Sequence, residues 1–74
     1  MVKLPSVSGK KTIKLLEKIG YQIIRQRGSH FRLHCPNKEP LTIPNHKNLA
    51  RGLLRKILRD SEITVKEFIK LLKK

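Results

Sequence analysis

The spacing of apolar residues changes along the chain, and each change marks an element. From Ser8 to about Ile19 the spacing is helical: Ile13, Leu15, Leu16 and Ile19 share one broad face, and Lys11, Lys14 and Lys18 lie on the opposite one. Ser8 suits the start, because a serine hydroxyl accepts from a backbone N–H that has no partner inside the helix. Gly20 suits the stop, where the chain takes a positive φ. The period then falls to two. YQIIRQ, Tyr21 to Gln26, is rich in strand formers. Arg27-Gly28-Ser29 reads as a tight turn. HFRLHC, His30 to Cys35, alternates: Phe31, Leu33 and Cys35 point one way, and His30, Arg32 and His34 the other. Pro36 to Pro40 is a second turn, and Leu41 to Ile43 a short strand with Leu41 and Ile43 inward, closed by Pro44.

Helical spacing returns after a loop, Asn45 to Asn48, that carries His46. In LARGLLRKILRD, Leu53, Leu54, Ile57 and Leu58 form an apolar face and Arg51, Arg55 and Arg59 recur every fourth residue on another. Gly52 lowers helix propensity by about 1 kcal/mol against alanine, so this helix starts late. Thr64 and Glu67 form a T-x-x-E capping box. It opens a short last helix with Val65, Phe68, Ile69 and Leu72 inward and Lys66, Lys70 and Lys73 outward. The order is α-β-β-β-α plus a terminal helix. Short turns between strands predict an antiparallel three-stranded sheet with the helices on one face, an α+β fold. The other face is polar and basic, with His30, Arg32, His34 and either Gln22 or Arg25. The same order matches the double-stranded-RNA-binding domain (dsRBD), a fold-level analogy.

With 74 residues and no linker or repeat, the chain reads as a single domain, 1–74. A domain of this size buries only about 60% of the surface its unfolded form exposes. The first few residues and the Pro36–Pro40 turn offer nothing to its core. Charge changes the picture most. The chain has 18 Lys and Arg against 5 Asp and Glu, a net charge of +13. That field attracts polyanions, and the acidic residues are too few to bind it up in ion-pair networks. Nucleic acid or an acidic protein is the expected partner. The single cysteine, Cys35, fits a reducing compartment and excludes the common zinc spacings. No apolar run reaches the length of a membrane span or a signal segment. The expectation is a soluble, cytoplasmic protein without a small-molecule cofactor.

Most enzyme templates fail on the residues. There is no Gly-rich phosphate loop, too few carboxylates for a two-metal nuclease, and no G-x-S-x-G around Ser29. Nothing sets a zinc-binding spacing for the three histidines. A metal-free ribonuclease asks for less: an imidazole to move a proton to or from a 2′-hydroxyl or leaving oxygen, and cations to hold the phosphate. His30, with Arg25, Arg27 and Arg32 around it, offers those parts. A histidine on an exposed strand face is more often an ordinary polar residue, so spacing alone leaves both readings open. His34 reads as solvated surface. Arg51 and Arg55 match the cations with which the dsRBD meets phosphate at its last helix.

V-S-G-K at the first helix, then G-Y and a strand, R-Q-R-G-S-H, T-I-P-N-H and R-G-L-L-R-K-I-L together resemble the HicA toxins, also called the YcfA-like family. The resemblance runs from about Leu4 to Phe68. It implies a toxin of a type II toxin–antitoxin pair: a small ribonuclease that cuts mRNA, with a dsRBD-like fold. The histidine of the G-S-H element is the family's catalytic residue and corresponds to His30. The implied partner is a HicB antitoxin that covers this region, and an acidic antitoxin surface would compete for the cationic site. The expected RNA-binding set is Arg25, Arg27, Ser29, Arg32, His46, Lys11, Lys14, Arg51 and Arg55, with no metal. Many members continue G-S-H-H, whereas here Phe31 follows, which the alternation sends to the core. His46 is then the candidate for a second role, in chemistry or in shaping its loop. The competing readings are a non-catalytic RNA-binding module of the same fold and a basic protein that only docks an acidic chain.

Overall fold

The computed structural model describes residues 4–73. In chain order it contains α1 (Gly9–Lys18), β1 (Gln22–Arg27), β2 (His30–His34), β3 (Leu41–Pro44), α2 (Arg51–Asp60) and α3 (Val65–Leu72). The strands form one antiparallel sheet in the order β1-β2-β3. This is the α+β, dsRBD-like arrangement that the order of elements predicts. The caps follow the sequence. Ser8 Oγ accepts from the Lys11 N–H at 3.1 Å, and Thr64 and Glu67 close a reciprocal capping box, each contact 3.1 Å. Gly20 follows the end of α1 with φ +112°.

One apolar cluster runs through the molecule, with Leu16, Tyr21, Leu33, Ile43, Leu54 and Phe68 nearly sealed from water. Leu33, Leu41 and Ile43 supply it from the sheet. Phe31 packs on it half-buried, as alternation predicts. β1 adds nothing to it, since all six of its residues are exposed. Tyr21, expected to begin β1, instead lies before the strand and is buried. Its hydroxyl donates to the Glu39 carbonyl at 2.9 Å. Burial raises this phenol from its ordinary 10 to about 12.

Two segments expected to lie outside the core help to hold it. Leu4 and Val7 are buried in the cluster, because the chain entering α1 runs along the loop after β3. The remaining start of the chain, residues 1–3, lies outside the described residues. The Pro36–Pro40 turn gives the core no side chain, yet it is pinned at two neighbouring residues: the Glu39 carbonyl accepts from Tyr21, and Lys38 Nζ donates to the Ser61 carbonyl at 3.0 Å.

The loop after β3 is fixed by backbone bonds. The Gly9 N–H donates to the His46 carbonyl at 2.9 Å, Leu49 N–H to Val7 at 2.8 Å, and Asn45 N–H to the Ser29 carbonyl at 2.6 Å. Gly9 is a close-approach glycine: a Cβ there would collide with the Pro44 carbonyl oxygen. The start of α1, the loop and the β1–β2 turn are thereby locked together.

Candidate functional site

The site is built on the open face of the sheet. Its first element is the β1–β2 hairpin. Gly28 takes φ +59° at the first position of a two-residue loop, where a type II′ turn favours glycine. The loop sets Arg27 directly opposite His30. Cross-strand partners of this kind lie about 5 Å apart and share a face.

The second element is a bulge. Gln22 pairs with His34 and Ile23 with Leu33. The register then shifts, and Arg25 pairs with Arg32, Gln26 with Phe31 and Arg27 with His30. Ile24 is the extra residue. Strict alternation from Gln22 would send Arg25 and Arg27 to the side of Leu33 and Phe31. The bulge reverses the phase, so Gln22, Arg25 and Arg27 all join His30, Arg32 and His34 on the open face. The choice between Gln22 and Arg25 that the sequence leaves open is resolved in favour of both.

Ile24, Arg25, Arg27, His30, Arg32 and Thr42 line a shallow cavity of about 450 Å³ on this face. Thr42 stands opposite Arg32 on β3, and its Oγ1 accepts from Arg32 Nη1 at 2.8 Å. That bond aims the guanidinium. His30, Arg32 and Thr42 also line an adjoining cavity of about 370 Å³ that reaches Lys56 and Asp60 of α2. Asp60 is held by Lys56 at 2.9 Å, the one salt bridge among the described residues. Arg25, Arg27 and Arg32 have no carboxylate partner among them. Arg25 opposite Arg32 is a like-charge pair, which costs a sheet stability unless an anion lies between them.

The other expected residues fall elsewhere. Ser29 is exposed in the turn, and its carbonyl anchors the loop after β3. His46 is exposed in that loop; its carbonyl holds Gly9, and it lines neither cavity. Lys11 and Lys14 occupy the exposed side of α1, and Arg51 and Arg55 that of α2. No three His, Cys, Asp or Glu side chains cluster among the described residues. Sequence reasoning missed Thr42 and Ile24. Thr42 was within reach, since alternation in LTI sets it opposite in direction to Leu41 and Ile43. Ile24 gave no signal, because a bulge is not visible in hydrophobic periodicity.

Among known families, residues 9–63 match the HicA toxin of bacterial toxin–antitoxin systems. The chain belongs to the HicA toxin family. It is therefore the toxin of a toxin–antitoxin system and has an antitoxin partner. Curated proteins return no match. The matched span of this HicA toxin holds the whole of α1, all three strands and the whole of α2. It thus includes every residue lining the 450 Å³ cavity. Among the described residues no helix is long and apolar enough to cross a membrane.

Proposed function

We propose that this HicA toxin is an endoribonuclease that cuts mRNA at the open sheet face, folded as one domain, with His30 as its proton-transfer residue. The observation that carries the reading is the cavity in which His30 stands among Arg25, Arg27 and Arg32, with no carboxylate in its lining and no salt bridge to these arginines among the described residues. The cations hold the scissile phosphate and the charge that grows on it. The 2′-oxygen of the preceding ribose attacks phosphorus, a P–O2′ bond forms and the P–O5′ bond breaks. His30 takes the 2′-hydroxyl proton or hands a proton to the departing 5′-oxygen, and water exchanges the other proton. Its exposure and its lack of any side-chain hydrogen bond among the described residues leave the imidazole free for either task. Ser29 stands beside it in the turn, within reach of the bound strand. Lys11, Lys14, Arg51 and Arg55 lie outside the cavity and add to the field that draws RNA in; His46 adds a contact from its loop. No metal or cofactor takes part in this scheme.

The partner is read as a HicB-type antitoxin with an acidic surface over the same face, in the cytoplasm, so that antitoxin and RNA exclude each other. The test is His30→Ala in the full chain. General acid–base groups contribute about 10²- to 10⁴-fold, so the variant loses cleavage on that scale and no longer arrests growth, while RNA affinity stays within a few-fold. Cleavage at the parental rate would remove His30 from the mechanism. If the parent protein binds RNA with a steep salt dependence and yields no products, it is a binding module instead.

A further inference from the structure

Among the described residues, two large apolar side chains remain exposed, and they are neighbours on β1: Ile23 at 43% and Ile24 at 60%. Their surroundings differ. Ile23 pairs with Leu33 and faces the helix side of the sheet. Ile24, the extra residue of the bulge, faces the basic side and lines the same cavity as Arg25, Arg27, His30, Arg32 and Thr42. It is the one wholly aliphatic wall of an otherwise polar, cationic hollow.

A phosphate alone would call only for the cations. A ligand that also uses Ile24 must join an anion to a flat, weakly polar surface, which describes a nucleotide with its base free. In an A-form duplex the bases are stacked inside, and the outside offers phosphate and 2′-hydroxyl groups. An unpaired base can lie on Ile24, with the guanidinium planes of Arg25 or Arg27 available to stack against it. The cavity, about 450 Å³, is of small-ligand size. We propose that Ile24 forms a nucleobase subsite that restricts this face to unpaired nucleotides. The inference rests on the reading of the face as an RNA site and adds which RNA it takes and which residue selects it.

Binding is measured in the His30→Ala background with 2′-O-methyl RNA probes, which lack the attacking 2′-hydroxyl, and a gel checks that the probes stay intact. Fluorescence anisotropy compares three probes: a short single-stranded RNA, the same strand annealed to its complement, and the same strand with abasic nucleotides. Single-stranded RNA should bind about tenfold or more tighter than the duplex. Ile24→Asn should weaken the single strand by about fivefold, the scale of losing roughly half an aliphatic side chain's burial. It should leave duplex binding unchanged and abolish the preference for intact over abasic RNA. Ile24→Thr keeps the strand propensity and should show the same loss, and Ile23→Asn should show none. Unchanged single-strand affinity in both Ile24 variants, or an equal loss for all three probes, overturns the subsite while leaving the ribonuclease reading intact. If no probe binds at low salt, both fall together.

Discussion

β1 and β3 are the two edges of one sheet, and they spend their apolar residues in opposite ways. β3 is four residues long and buries three, Leu41, Ile43 and Pro44, with Thr42 exposed between them. β1 is six residues long, carries two isoleucines, and buries none. By sequence alone QIIRQR is as apolar at its centre as LTIP. The difference is position. β3 lies under α1 and the loop that Gly9 locks against it, while the helices leave β1 uncovered. A strand that owes nothing to the core is free to carry a bulge, and the bulge brings its Arg25 and Arg27 onto the open basic face. Natural sheets guard an open edge with charge and irregularity, and Arg25, Arg27 and the bulge do that here as well.

Truncation tests this contrast most strongly. Ile43→Ala should cost about 2–5 kcal/mol, as for other buried aliphatic side chains. Ile24→Ala, on the opposite edge, should stay within about 0.5 kcal/mol. Urea denaturation followed by circular dichroism measures both, and equal costs would erase the distinction between the edges.

Tyr21, at the junction between α1 and β1, gives an intermediate effect. Tyr21→Phe loses the bond to the Glu39 carbonyl, worth about 1 kcal/mol. The phenol's folded value of about 12 lies above its ordinary 10, so the folded state holds this proton more tightly than the unfolded chain. That contribution is complete below pH 10 and is lost as pH rises towards about 12. A stability profile over this range should fall more steeply for the parent than for Tyr21→Phe.

The smallest effect has the opposite sign. Arg25→Gln relieves the like-charge pair with Arg32 and should stabilise the fold by about 0.2–1 kcal/mol. It should also weaken RNA binding and flatten its log–log salt dependence by about 0.7. A variant that is less stable, or binds RNA with unchanged salt dependence, would deny that the pair is shaped for an anion.

Much of the architecture was legible, because local chemistry specifies it. Ser8, Gly20 and the Thr64–Glu67 box name helix ends through groups within three residues of one another. Alternation in HFRLH assigns Leu33 inward and His30 outward, and the buried Leu33 and exposed His30 bear that out. The chain start was misjudged: the burial of Leu4 and Val7 depends on a loop some forty residues on, which no local pattern encodes. Gly9 was visible as part of a motif but not as a contact, since its reason is the Pro44 carbonyl.

The sequence by itself determined the elements, their order, the +13 charge and the pairing of His30 with a basic strand face. Each is a property of neighbours along the chain or of composition. Only the tertiary structure decided which cations meet His30. One inserted residue, Ile24, shifts the pairing of β1 so that Arg25 and Arg27 cross to the face of Arg32 and Thr42. A side-chain period of two makes the face that each side chain takes depend on a single unit of register, and register is set by the partner strand.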